Sequence, residues 1–178
     1  MINRVDLAVI MPQAKAANIE RFWAHLNSAM EEFLINSPAR QAAFLAQIGH
    51  ESGQLRYVEE LASGQDYDIG NKARRLGNTP QDDDDGERYK GRGLIQITGT
   101  DNYRACGEAL GLDLLTNPEL LELPENACRS AAWFWWSRGL NQLADGGNFE
   151  RITRKINGGL TGQADRLVLW QRAKEQLT

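Results

Sequence analysis

The segment Gly49-His50-Glu51-Ser52-Gly53, followed by Glu59-Glu60, is where this sequence places paired carboxylates in a pattern that could do acid–base chemistry. A carboxylic acid donates a proton near neutral pH only if burial or a like charge raises its pKa, while its partner must stay ionised. Glu51 follows the apolar run Phe44-Leu45-Ala46-Gln47-Ile48, so it is expected to emerge from the core into a partly dry cleft. Glu60 lies across a turn region, where water keeps it charged. Such a pair, roughly 6.5–9.5 Å apart with a water between them, is what inverting cleavage of a glycosidic bond requires. A lone glutamate at a helix end is more often a surface residue, so a second constellation matters. Gln96, Thr98 and Asn102 supply amide and hydroxyl groups beside tight glycine turns, and Asn157-Gly158-Gly159 adds another amide at a helix end. Glycines admit close backbone approach, and neutral polar groups suit the hydroxyls and acetamides of an amino sugar. Any one of these residues alone is better explained by turn chemistry or capping.

Other chemistries fit less well. His50 beside Ser52 suggests a base and a nucleophile, but near neighbours at a helix end do not face each other, and no orienting acid is evident. The run Asp82-Asp83-Asp84-Asp85-Gly86 invites a calcium loop. With its glycine at Gly86, that loop would begin at Gln81 and end at Arg92, wrong at both outer ligand positions. A solvated loop is the better reading. His25, His50, Cys106 and Cys128 fall at no zinc-ligand spacing, so neither a metal nor another cofactor is expected. Trp133, Trp135 and Trp136 crowd one very apolar helix and are read as core, not as sugar platforms.

The elements that must position these residues are almost all helical. A short helix is expected up to Ile10, before Pro12. A longer one, capped by Asn18, carries Ile19, Phe22, Trp23, Leu26, Met30 and Phe33 on one face. Ser37-Pro38 is a cap followed by a first-turn proline, opening a helix that ends near Gly49 to Gly53, with Glu51 at or just past its last turn. From Ser63 to Tyr89 the periodicity fades into loop, with one short helix around 72–76. Tyr89 to Gly99 is glycine-punctuated around a short extended core. Helices resume at 101–110, 125–138, 149–156 and 163–176. The fold class is therefore mainly α with at most one small β element, in one domain of 178 residues without internal repeat or linker.

Composition narrows the partners. Hydrophobic residues at 42% and charged residues at 25% are those of an ordinary soluble domain, and no run approaches a membrane span. Asp6 interrupts any apolar leader, so export by signal peptide is not expected, and a cytoplasmic origin suits Cys106 and Cys128 as packed, reduced thiols. A net charge of −4 argues against nucleic acid. The C-terminal excess of Arg151, Arg154, Lys155, Arg166, Arg172 and Lys174 is read either as attraction to an anionic polymer such as peptidoglycan or as a solvated helix face.

Four segments together resemble glycoside hydrolase family 19, the chitinases and phage endolysins of that fold. They are His50-Glu51-Ser52-Gly53; Tyr89-Lys90-Gly91-Arg92-Gly93-Leu94-Ile95-Gln96-Ile97-Thr98; Asn102-Tyr103; and Ile156-Asn157-Gly158-Gly159, in family order between about residues 40 and 160. The resemblance implies a lysozyme-like, family 19 chitinase-type helical fold with a cleft. It implies Glu51 as the acid, Glu60 as the base with Glu59 its competitor, and Thr98 as a holder of the attacking water. Gln96, Asn102 and Asn157 match sugar-binding positions, Arg166 matches a cleft arginine less securely, and Arg92 is expected to brace the cleft. The chain lacks the longer, disulfide-bonded framework of plant-type chitinases. With Asn102-Tyr103-Arg104 and the Ser-Ala-Ala-Trp-Phe helix, it looks like endolysins of phages infecting Gram-negative bacteria. That implies a monomer cutting the β-1,4 bond between N-acetylmuramic acid and N-acetylglucosamine, released from the host cytoplasm to the periplasm through a holin. The alternatives are a bacterial family 19 chitinase and an inactive, sugar-binding relative.

Overall fold

A computed structural model describes residues 1–81 and 83–177. Its helices are α1 (Arg4–Ile10), α2 (Ala16–Glu32), α3 (Pro38–Glu51), α4 (Gly70–Leu76), α5 (Asp85–Arg88), α6 (Thr100–Leu110), α7 (Pro124–Ser137), α8 (Leu140–Asp145), α9 (Phe149–Asn157) and α10 (Gln163–Gln176). Single 3₁₀ turns occupy Gln65–Tyr67 and Pro118–Glu122. Among the described residues β structure is limited to isolated antiparallel bridges, Glu59 to Arg92 and Arg92 to Ile97. The fold is mainly helical, as the residue pattern implied.

Helix α3 is the axis of the molecule. Ser37 Oγ accepts from the Arg40 N–H and Pro38 fills the first turn, so the start is fixed by local chemistry. All eight residues from Ala42 to Gly49 are buried, with α10 and α8 packed around them. Helix α2 begins at Ala16, so Asn18 sits inside its first turn and caps nothing. Lys15, in an extended conformation, stands at the cap without a side-chain hydrogen bond. Its expected apolar face does point inward through Ile19, Phe22, Leu26 and Met30.

Two apolar clusters share helix α7. The larger takes Ala127, Cys128, Ala131, Ala132 and Trp135 from it, together with α1, α2, α3 and the C-terminal helices. The smaller joins Trp133 to Tyr89, Ile97, Tyr103, Cys106, Leu110, Leu114 and Leu121. Trp133 and Trp135 are core, as expected, but Trp136 is 52% exposed and leans on Phe33. Both cysteines are buried free thiols. Burial pushes the Cys106 thiol up to about 12 and raises that of Cys128 further. The acidic run is no uniform loop: Asp85 opens α5, and the buried Asp68 carboxylate accepts from the Asp84 and Gly86 N–H groups. Asp82 lies outside the described residues. Among the described residues no helix is long and apolar enough to cross a membrane.

Candidate active site

Glu51 is the last residue of α3, where the buried helix surfaces. Its side chain keeps 21% of its exposure, and its Oε1 accepts from Arg166 Nη2 at 2.5 Å. Arg166 is 1% exposed in the first turn of α10. Its other terminal nitrogen donates to Gln47 Oε1 at 2.5 Å, and its Nε to the Thr161 carbonyl at 3.3 Å. Gln47, one turn below Glu51 and fully buried, passes its amide N–H to Thr153 Oγ1 of α9 at 2.8 Å. A chain of charge-assisted and neutral hydrogen bonds therefore ties Glu51 to α3, α9 and α10. Only Oε1 is engaged by Arg166. The expectation that Arg166 contacts sugar is corrected: it is buried beneath Glu51 and holds that side chain. Gln47 and Thr153 went unread in the sequence, although a glutamine inside an apolar helical run is itself a signal.

The connection leaving Glu51 is strained. Gly53, Gln54 and Leu55 are all left-handed, with φ of 58°, 59° and 66°, an uncommon conformation for residues with a side chain. Ser52 pins this turn: its Oγ donates to the Ile48 carbonyl and accepts from the Leu55 N–H. Buried and so engaged, Ser52 is no nucleophile. His50 does have an acid beside it, since Nδ1 lies 2.6 Å from Asp165 Oδ2, but that pair braces α3 against α10. A Cβ at Gly162 would collide with the imidazole, so the close packing needs glycine there.

Beyond the turn, Glu60 is held from both sides. Tyr67 Oη donates to Oε1 at 2.7 Å, and the Gly91 N–H donates to Oε2 at 3.1 Å. Burial first, and then this hydrogen bond, push the Tyr67 phenol up to about 12, so it remains a donor. Tyr67 was missed in the sequence because nothing in its loop marks it. A hollow of about 250 Å³ opens beside Glu60 and Tyr67. Glu59 is differently placed, 42% exposed at its side chain and paired with Lys90 Nζ at 2.8 Å.

Gly91 explains why the second wall is glycine-rich. Glu60 Oε2, Gln96 Cβ and Thr98 Oγ1 lie 3.1, 3.1 and 3.2 Å from where a Gly91 Cβ would stand, so the missing side chain lets three groups converge. Thr98 Oγ1 donates to the Gln96 carbonyl at 3.0 Å, which leaves its lone pairs to accept. Gln96 itself is left-handed (φ 52°), strained at the centre of the site. Asn102 Nδ2 donates to the Thr98 carbonyl at 2.8 Å, and Asn157 is exposed at the end of α9. Arg92 braces, as expected: it bonds Glu122, the Arg88 carbonyl and Tyr103 Oη.

Comparison with known proteins identifies the family and the fold. The family model described as class I chitinase of glycoside hydrolase family 19 matches residues 35–145. A Haemophilus influenzae protein described by its family 19 domain is 33% identical over 96% of this chain and 94% of its own length. An Arabidopsis thaliana endochitinase is 45% identical over 66% of this chain, which corresponds to 38% of that protein's length. Chitinase C from Streptomyces griseus superposes with a TM-score of 0.79 at 24% identity, covering 99% of this chain and 76% of that one. A second bacterial family 19 chitinase does so at 0.78 and 25%, covering 99% and 94%.

Proposed function

The chain belongs to glycoside hydrolase family 19, and we propose that within it the chain is an endolysin that hydrolyses bacterial peptidoglycan. The bond cut is the β-1,4 link between N-acetylmuramic acid and N-acetylglucosamine. The observation that carries the mechanism is the convergence of Glu60 and Thr98 at Gly91, with Glu51 held separately at the end of α3 by Arg166. A water between Glu60 Oε2 and Thr98 Oγ1 donates one O–H hydrogen bond to each and turns a lone pair toward the anomeric carbon. Glu60 takes that water's proton as the C–O bond forms, and Glu51 Oε2 protonates the departing glycosidic oxygen. Attack from the face opposite the leaving group inverts the anomeric centre. Gln96, Asn102 and Asn157 bind the sugar, and the engagement of Glu59 with Lys90 supports Glu60 as the base. Release to the wall through a holin, as a monomer and without a cofactor, completes this reading.

Cleavage of chitin is the second reading, favoured by the chitinases among the relatives. Reducing ends released from Gram-negative peptidoglycan and from colloidal chitin, by wild type and Glu51→Gln, separate the two. Release from peptidoglycan alone, lost in the variant, supports the endolysin; release from chitin alone transfers the protein to the chitinases; release from neither leaves a binding protein. NMR must show the α-anomer first, and Glu60→Gln must abolish turnover where Glu59→Gln keeps most of it.

A further inference from the structure

Arg138 closes α7 in a setting unlike that of Arg40, Arg92, Arg129 and Arg166. Arg40, Arg92, Arg129 and Arg166 each meet a carboxylate. The half-buried Arg138 guanidinium instead sits over Phe134, its carbon 3.5 Å from the ring centroid, with no carboxylate or hydrogen-bond acceptor on it among the described residues. Burial with nothing to offset it lowers its pKa, where acid partners raise those of Arg40 and Arg129. A guanidinium held over a ring keeps its N–H donors free, and those donors can grip a carboxylate bidentately. A second cation stands at the same corner. Lys155 Nζ donates to the Arg138 carbonyl at 2.9 Å, and no carboxylate is paired with it either. Lys155 lies in the last turn of α9.

We propose that Arg138, with Lys155 beside it, forms a carboxylate-binding subsite. It takes the acidic substituents of a modified amino-sugar polymer. The proposal rests on the peptidoglycan reading above and deepens it: chitin is neutral, whereas peptidoglycan carries carboxylates on its peptide stems, or on the lactyl group where a stem has been removed. An arginine that merely roofed Phe134 would bind both polymers alike.

The test uses the full chain with Glu51→Gln, so that polymers are retained and not digested. Retention is measured on immobilised sacculi, on glycan strands stripped of stems by an amidase, and on chitin. Adding Arg138→Gln is expected to weaken retention on acidic polymer about tenfold relative to chitin, the loss of one charge-assisted contact. Arg138→Lys recovers part of it, and Lys155→Gln gives a smaller loss in the same direction. Weakening confined to sacculi identifies the stem carboxylates, and weakening confined to stripped strands the lactyl group. Equal weakening on chitin, or none on any polymer, overturns the subsite. Wild-type release of reducing ends from sacculi is scored separately. Arg138-dependent retention without cleavage would sink the endolysin and keep the subsite; cleavage and retention indifferent to Arg138→Gln would do the reverse.

Discussion

Replacing Arg166 with methionine tests how the acid is held. Methionine fills a similar volume, so no large cavity enters the comparison. What disappears is the partner of Glu51 Oε1 and of Gln47 Oε1. Gln47 is fully buried, and an orphaned acceptor there costs about 1–3 kcal/mol. Breaking a buried ion pair by removing one member costs about 3–5 kcal/mol, but Glu51, at 21% exposure, can take water in exchange. The Thr161 carbonyl, at 3.3 Å and on an exposed residue, adds little. Together these give a loss of about 3 kcal/mol, or roughly 6–12 °C in Tm for a chain of this size. Urea unfolding should show a lower midpoint at constant slope, and kcat should fall much more than KM rises, because the acid is misplaced while the sugar contacts survive. Converting Glu51 to Gln in the same chain removes the unpaired charge and should restore about 1 kcal/mol. A loss under 1 kcal/mol in the single variant, or no recovery in the double, would refute the claim that Arg166 is the keystone of the acid.

Three further outcomes follow from single features. Gly91→Ala places a methyl group where Glu60, Gln96 and Thr98 converge, so kcat should drop at least about tenfold while circular dichroism melting moves by no more than a few degrees; near-normal turnover would remove the water from that point. Asp145, hydrogen-bonded to Arg40, has its carboxyl held below the usual aspartate range. A depressed value means the pair stabilises above the unfolded pKa and is lost as pH falls through the folded one. Asp145→Asn should thus cost up to about 1 kcal/mol near neutrality, small because the carboxylate is 42% exposed, and nothing at strongly acid pH. Raised by burial, the Cys106 and Cys128 thiols should ignore a thiol reagent at pH 8 in the native protein, and both should react once it is unfolded.

The helices were largely legible because their signals are local. Ser37-Pro38 fixes the start of α3, and the buried spacing of Ile19, Phe22, Leu26 and Met30 gives the inner face of α2. The glycine-punctuated segment around Gly91 and the glutamates at 51 and 60 were likewise visible as chemistry in one dimension. The start of α2 was misplaced at Asn18 because a capping residue is equally at home inside a first turn. The short helix α8 and the Pro118–Glu122 turn carry too few residues for a period to show.

The partners of those residues are what only the tertiary structure decided. Glu51 is joined to Arg166 across 115 positions and Gln47 to Thr153 across 106, and no local pattern specifies which helix packs against which. The same packing turned Arg166 from an expected sugar contact into a buried anchor. It separated Glu60, clasped by Tyr67 and Gly91, from Glu59, drawn off by Lys90. Sequence supplies residue types and local periods; burial and the pairing of charges arise only when distant helices close on one another, and those two quantities set what each side chain can do.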